Sequence, residues 1–512
     1  MPREMAPRRF DALFRTLIVI VCGVCGVWMV ALTWRWPLMW DAQVMHYANF
    51  LIRHGFVPYR DITDMNLPGS YVVEGAAMRI FGGGDLAWRL YDFSLLGVVT
   101  ASMIVIALPY DWIAGLFAGV TFALIHASEG PQNGGQRDEA MTALLLLGYA
   151  LLFLSIRHRK IWGMLGFGMA LGLACSIKPT TAPLAAVLLG MAGWKLRKDG
   201  ERAATYVWVG LLGLILGGAP AVLFLLHYHS LGAFLEITRT VTPYYATLQH
   251  ETVGYLIQKL LPKAALTLPF ALLVAVTNRT WKNWERSALL LGVASGALSY
   301  FAQRKGFLYH RYMFVAFLLL WMGIELLLAM RRTGWARAVG IAGLALSGLI
   351  FPLVYVARLR TIVAVNHYST ALEHDLTQLG GASLDRRVQC LDLVDGCFNA
   401  LYHDGLVQAT GSMGDLLYFP RTGAPVVASY RARFREELKR NSPAVIVVSN
   451  EWFNEVPSFD KLAAWPEFAA YLESDYRLVV ERSFPDEFSD AYRIYVRKNM
   501  AAPRLDPGYE WQ

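Results

Sequence analysis

Charge is scarce in this chain of 512 residues: 17% are Asp, Glu, Lys or Arg, whereas 55% are apolar. That balance excludes a soluble enzyme and describes a polytopic membrane protein. A net charge of +8 raises the question of nucleic acid, but the basic residues form no single patch. They fall in short clusters between apolar segments, the pattern of cytoplasmic loops. Internal repeats and low-complexity tracts are also missing, and with them the matched halves common in transporters. The first apolar stretch lacks a small-residue cleavage pattern, since Trp34-Arg35-Trp36-Pro37 follows it, so it reads as a retained anchor and not a signal peptide. Cysteines number five. Cys22, Cys25 and Cys175 lie in apolar spans as packing residues. Cys390 and Cys397 lie in a more polar region, where an oxidising compartment would let them pair.

Stretches near the ~20 residues needed to cross a bilayer number about eleven, at residues 12–33, 86–108, 112–127, 138–156, 161–177, 179–194, 205–228, 262–277, 288–303, 312–330 and 338–356. With that count the basic clusters all fall on one face: Arg3, Arg8, Arg9 and Arg15, then Arg157/Arg159/Lys160, Lys195/Arg197/Lys198/Arg202, Arg279/Lys282/Arg286 and Arg331/Arg332/Arg337. The positive-inside rule makes this face cytoplasmic. The first loop (34–85) and everything after the last span then face outward, which in a bacterium is the periplasm. Residues 1–356 form the membrane module. In residues 357–512 charge rises and strand-like AVIVVS (444–449), YRLVVE (476–481) and YRIYV (492–496) alternate with helical RARFREELKR (431–440), the pattern of a small periplasmic α/β domain.

The outward first loop holds the most informative residues. Asp41, Asp61, Asp64 and Glu74 lie there among aromatics, prolines and glycines, and carboxylates held at a membrane boundary point to chemistry. Val44, Tyr47, Ala48 and Leu51 recur at helical spacing, predicting an amphipathic helix along the membrane surface with Asp41 at its N-terminus. Pro68-Gly69-Ser70 starts a second surface helix. Cations stand at the same outer edge, against the positive-inside bias: Lys178 between two spans, and Arg304, Lys305, His310 and Arg311 further on.

This region resembles the first periplasmic loop of the GT-C glycosyltransferases, in particular the family-39-like bacterial branch of protein O-mannosyltransferases and lipid A aminoarabinose transferases. The resemblance rests on Asp41, on Gly55, Pro58, Tyr59 and Asp61, and on Asn66-Leu67-Pro68-Gly69. Further along it rests on Arg137-Asp138-Glu139, Ser176-Ile177-Lys178-Pro179 and Tyr309-His310-Arg311-Tyr312. Two departures are plain: the first acidic motif reads Asp-Ala where many relatives have Asp-Glu, and the second turn keeps one proline. The resemblance implies a GT-C bundle that transfers a sugar, with inversion, from a polyprenyl-phosphate donor to a glycan, lipid or protein acceptor of the envelope. It also implies an enzyme embedded in the bacterial inner membrane among its lipids.

On this reading Asp41 is the base that takes the acceptor's proton, with an N-cap as its structural alternative. Asp138 or Glu139 orients base or acceptor, unless the two are ordinary acids of a helix start. Tyr59, Asp61 and Asp64 contact sugar or acceptor, unless the aspartates merely close turns. Lys178, Arg304, Lys305, His310 and Arg311 meet the donor phosphate or anionic headgroups, or Lys178 simply snorkels. His227, His229 and His250 lack a carboxylate partner in sequence, so no metal ligands are assigned; a divalent metal has no support beyond them. The competing functions are a flippase or transporter of lipid-linked or polar solutes, and a non-catalytic envelope assembly protein.

Overall fold

The computed structural model describes residues 5–484, 490–501 and 505, without the side chains of residues 5–8. Arg3 and the side chain of Arg8 therefore lie outside the described residues. The chain opens with helix α1 (Met5–Thr33), two short helices α2 (Asp41–Arg53) and α3 (Pro68–Phe81), and then α4 (Asp85–Ala107), α5 (Trp112–Ser128), α6 (Arg137–His158), α7 (Ile161–Ile177), α8 (Ala182–Lys198) and α9 (Ala203–His227). Next come α10 (Leu231–Thr247), α11 (Val253–Leu260), α12 (Leu268–Asn278), α13 (Trp284–Gln303), α14 (Tyr312–Met330), α15 (Trp335–Ala345) and α16 (Phe351–Leu359).

All eleven apolar stretches are helical. Six helices among the described residues are long and apolar enough to cross a membrane: α1 from Arg9, α4, α6, α9, α14 with the turn before it, and α15 continued into α16. Helix α11 and residues 263–278 form a further apolar pair bent by 81°, and α5 and α7 are shorter apolar helices. Their surfaces sort them. Helix α14 is buried on nearly every side, as expected of a helix that is apolar all round at the centre of a bundle. Helix α9 instead exposes Trp208, Ile215 and Leu223, an apolar rim that only lipid would cover.

Helices α7 and α9 meet through small residues, the way membrane helices approach without a hydrophobic driving force. A Cβ on Gly172 would stand 2.2 Å from the Leu214 carbonyl oxygen, and one on Gly217 would stand 2.1 Å from that of Met169. Backbone on the opposing helix cannot step aside as a flexible side chain can. Gly172→Leu therefore prises α7 from α9, and we expect a loss of about 3 kcal/mol, in the overpacking range, read as a lowered Tm in detergent.

The basic clusters share one end of the bundle. Asp111 accepts from Arg15 and Arg331, Arg157 pairs with Glu285 and Arg337 pairs with Asp11. At the opposite end the C-terminal unit packs on the first loop. It contains α17 (His367–Leu379), α18 (Cys397–His403), α19 (Pro425–Asn441), α20 (Pro466–Asp475) and strands β1 (Val388–Leu391), β2 (Val445–Ser449), β3 (Tyr476–Phe484) and β4 (Asp490–Arg497). The sheet order is β1-β2-β4-β3. Strands β1 and β2 run parallel with Cys390 opposite Val447, while β4 is antiparallel to both β2 and β3. Strand β2 is fully buried, as its unbroken apolar run requires. Cys390 and Cys397 form a disulfide with Cα atoms 6.1 Å apart.

Helix α2 differs from the surface helix that its sequence predicts. Tyr47, Ala48 and Leu51 are buried, but so are Gln43, His46 and Asn49 on other sides: the C-terminal unit meets Tyr47 and Gln43, His46 accepts from the Gly84 amide beside Trp88, and Asn49 lies against Gly75 of α3. The Tyr47 hydroxyl donates to the Leu406 carbonyl at 2.9 Å and accepts from the Gln408 amide at 2.8 Å. Gly411 lies so close to Asp61 that a Cβ would stand 2.1 Å from the Asp61 carbonyl oxygen.

Candidate active site

Between the bundle end and the C-terminal unit lies a cavity of about 860 Å³. Its floor carries Asp41, Asp64, Arg137, Asp138, Lys178, Gln303, Lys305, Tyr309 and His310, while residues 393–395, 413–414, 416–418 and 450–455 roof it.

Asp41 enters the floor as the first residue of α2. Trp40 precedes it at φ +53°, a left-handed conformation that costs a non-glycine residue of order 1 kcal/mol or more and turns the chain sharply into the helix. Arg137, at the start of α6, donates to Asp41 Oδ2 at 3.0 Å, and the Tyr309 hydroxyl donates to the same oxygen at 3.1 Å. The other Arg137 nitrogen donates to Asn66 Oδ1. Asn66 Nδ2 donates to Asp64 at 2.8 Å, and Asp64 also accepts from the Tyr71 hydroxyl. The 64–71 turn is thus hydrogen-bonded through to Asp41.

Beside this chain of contacts stands a second ion pair. Lys178 Nζ lies 2.7 Å from Asp138 Oδ1 and 2.9 Å from Gln303 Oε1. Asp138 is 2% exposed at its side chain and Lys178 18%, so the pair is largely desolvated with the lysine facing the cavity. Lys178 reaches this place because α7 stops at the Lys-Pro step: proline cannot continue the hydrogen bonding of a helix and disfavours the helical conformation in the residue before it. Gly69 lets the start of α3 sit against the same turn, for a Cβ there would meet Ser176 at 2.2 Å.

Not all the residues singled out from sequence meet here. Glu139 turns away from the cavity into the bundle, where its Oε2 accepts from the Gly135 amide at 3.0 Å beside Asp92, His126 and Arg89. Tyr59 is buried, donating to the Asn66 carbonyl at 2.7 Å. Asp61 pairs with Arg60 and accepts from the Val57 amide, which is the turn-closing role. Arg304 ends α13 in a left-handed conformation and is not part of the lining. Arg311 is buried and occupied by Glu129 and the Lys259 carbonyl. Lys305 does line the cavity, with its ammonium held by the carbonyls of Tyr245 and Leu248 over the Tyr245 ring. His310 lines it with Nδ1 unpartnered. His227, His229 and His250 belong to neither of the converging groups of possible metal ligands among the described residues.

Arg137, Tyr309 and Gln303 are the site residues that sequence reasoning passed over. Arg137 and Tyr309 stand inside motifs already singled out, next to the residues chosen. Arg137 also carries the same signal as Lys178, a cation at the end of a span opposite the basic clusters.

Behind Asp41, on α3, Glu74 is 3% exposed with Oε2 unpartnered. Burial, only partly opposed by Arg137, pushes its carboxyl up to about 8. The folded chain then keeps a proton on Glu74 that the unfolded chain releases above the ordinary value of 4.5. Between about pH 4.5 and pH 8 stability therefore falls as pH rises, by at most about 1.4 kcal/mol per unit from this one group. Glu74→Gln should flatten that part of a Tm-against-pH profile and stabilise the protein at pH 8.

No family model and no curated protein sequence matches the chain. Solved structures do. ArnT from Cupriavidus metallidurans bound to undecaprenyl phosphate superposes with a TM-score of 0.57 at 12% identity, covering 96% of this chain and 99% of that one. The apo state of the same protein gives 0.55 at 12%, covering 96% and 98%. The oligosaccharyltransferase of Archaeoglobus fulgidus gives 0.51 at 10% identity, covering 96% and 75%. Together with the apolar helices, these similarities establish that the chain is an α-helical, multi-pass membrane protein with the GT-C fold.

Proposed function

We propose that the protein is an inverting glycosyltransferase that moves a sugar from a polyprenyl-phosphate donor to an envelope acceptor, at the periplasmic face of the inner membrane. The observation that carries this reading is the shared floor of one cavity, where Asp41 stands with Arg137, Lys178 and Asp138. The GT-C neighbours, one of them bound to undecaprenyl phosphate, support it. The distribution of basic clusters, all at the far end of the bundle, supports the orientation.

The acceptor's hydroxyl or amine attacks the anomeric carbon from the face opposite the phosphate. Its proton passes to the Asp41 carboxylate as the new bond forms, and the carbon–oxygen bond to phosphate breaks with its electron pair leaving on polyprenyl phosphate. The leaving phosphate gains a second negative charge. Lys178 and Arg137, fixed before the reaction, stabilise that charge more in the transition state than in the ground state. A groove of about 590 Å³ between α7, α8 and α9 starts at Cys175 and Ala182, flanking the Lys178 turn, and is lined almost wholly by apolar side chains. It fits the donor's isoprenoid chain with the phosphate at Lys178.

The test is transfer by the purified protein, with a panel of polyprenyl-phosphate sugars as donors and an envelope-lipid extract as acceptor. Transfer from at least one donor supports the proposal. Binding of donors without transfer to any acceptor would favour the flippase or assembly reading.

A further inference from the structure

The roof of the cavity carries a second charged group that the transfer reaction does not use. The loop Asp392–Gly396 is closed at its base by the Cys390–Cys397 disulfide. Asp392 is fully buried and accepts backbone amides from Asp395 (2.9 Å), Gly396 (3.0 Å) and Cys397 (2.6 Å). Glu451, just past β2, accepts the Val394 amide at 3.1 Å. These contacts draw carboxylate oxygens of Asp392, Asp395 and Glu451 to within 4.8 Å of one another.

Two further polar atoms at this place have no partner. Asp395 Oδ2 is buried without a hydrogen bond. The Tyr368 hydroxyl, 0% exposed, is likewise unpartnered. Its ring lies against the loop, 2.8 Å from where a Cβ on Gly396 would be, and Asp392 and Asp395 are the charges that act on it most strongly. The nearby cation, Lys461, is already occupied: its ammonium is held by Asp415 and by the Glu451 carbonyl at 2.7 Å. Crowding three carboxylates around one engaged lysine is costly unless protons or a cation neutralise them.

We infer that Asp392, Asp395 and Glu451, with the Tyr368 hydroxyl, form a site for a hard divalent cation, Ca²⁺ before Mg²⁺, in the roof of the cavity. All the donors are oxygen, which selects hard cations over thiolate- or imidazole-seeking metals. The irregular arrangement suits Ca²⁺, which accepts varied geometry, better than Mg²⁺, which demands an octahedron. Asp395 and Glu451 line the cavity, so water or substrate completes the coordination. The ion would tie the roof to the floor, because Gln43 of α2 donates to the Val394 carbonyl inside the same loop, two residues from Asp41. The inference stands apart from the catalytic proposal, and its test needs no substrate.

The experiment compares full-length protein, purified and stripped with EDTA, before and after addition of Ca²⁺, by Tm and by luminescence of Tb³⁺ as a Ca²⁺ probe. The native chain should gain several degrees in Tm on addition of Ca²⁺ and show Tb³⁺ emission that Ca²⁺ displaces. Asp395→Asn/Glu451→Gln should lose both responses, yet match or exceed the native Tm in EDTA, because two mutually repelling acids are gone. Asp395→Asn alone should weaken Ca²⁺ affinity at least tenfold, and it decides the matter if the double variant does not fold. Asp41→Asn should keep the full response. No response by the native chain, a response that survives in the Asp395 and Glu451 variants, or one abolished by Asp41→Asn would overturn the assignment.

Discussion

Asp41→Asn should reduce sugar transfer by about 10³-fold, within the range that a positioned general base contributes, while donor binding and Tm change little. The substitution keeps the size of the side chain and an oxygen able to accept from Arg137 and Tyr309, which meet Asp41 at 3.0 and 3.1 Å. What disappears is the carboxylate proposed to receive the acceptor's proton. The loss should therefore fall on kcat and leave the donor's binding constant within a few fold, because the cations proposed to bind the phosphate are untouched. The measurement is initial rate against donor concentration for both proteins, with donor affinity from a separate binding titration. Equal turnover would remove Asp41 from the mechanism and leave it as a residue that opens α2. Asp41→Ala is a less informative comparison, because it also releases Arg137 and loosens the Asn66–Asp64 chain behind it.

How far the sequence reveals this site depends on which force places each residue. Helices set by long apolar runs were legible, because crossing a bilayer leaves a strong composition signal: all eleven stretches are helical, although only six helices among the described residues, or seven with the bent pair, are long and apolar enough to cross a membrane. Positions where a cation runs against the topology were legible as well, and Lys178 is one. Neither signal reports the direction of a side chain. Glu139 follows Asp138 in sequence but points about a third of a turn away around α6, into the network of Asp92 and His126. Asp61 and Asp64 look alike as turn acids, yet one pairs with the neighbouring Arg60 and the other joins a chain reaching Arg137. The roof was harder still. Asp392, Asp395 and Glu451 come from loops beside two parallel strands and converge only through the register of Cys390 with Val447, a long-range pairing with no local trace. The covering of α2 went unread for the same reason: amphipathic spacing shows which face is apolar, not whether lipid or a second unit of the protein covers it.

Lys178 and Asp138 allow charge and stability to be separated, and the expected pattern is asymmetric. Lys178→Met leaves Asp138 at 2% exposure without its cation, and removal of one partner from a buried pair costs about 3 kcal/mol. Asp138→Asn leaves the ammonium with Gln303 at 2.9 Å and costs less, since the lysine is the more exposed partner. Lys178→Met/Asp138→Leu removes both charges and should recover most of the stability, because a desolvated ion pair contributes little over apolar side chains of similar volume. Transfer should not recover. On the proposed mechanism, loss of Lys178 leaves the phosphate with Arg137, itself engaged with Asp41, as its one fixed cation from the pairs on the floor. A loss of about 10²–10³-fold in kcat/KM is then expected for Lys178→Met and for the double variant alike, the size seen when one preorganised electrostatic donor is removed. Lys178→Arg keeps the charge but not the compact ammonium geometry and should retain part of the activity. Tm and kcat/KM measured across the four variants decide it. If the double variant regained activity together with stability, Lys178 would be a structural partner of Asp138, and the donor phosphate would have to be held elsewhere on the floor.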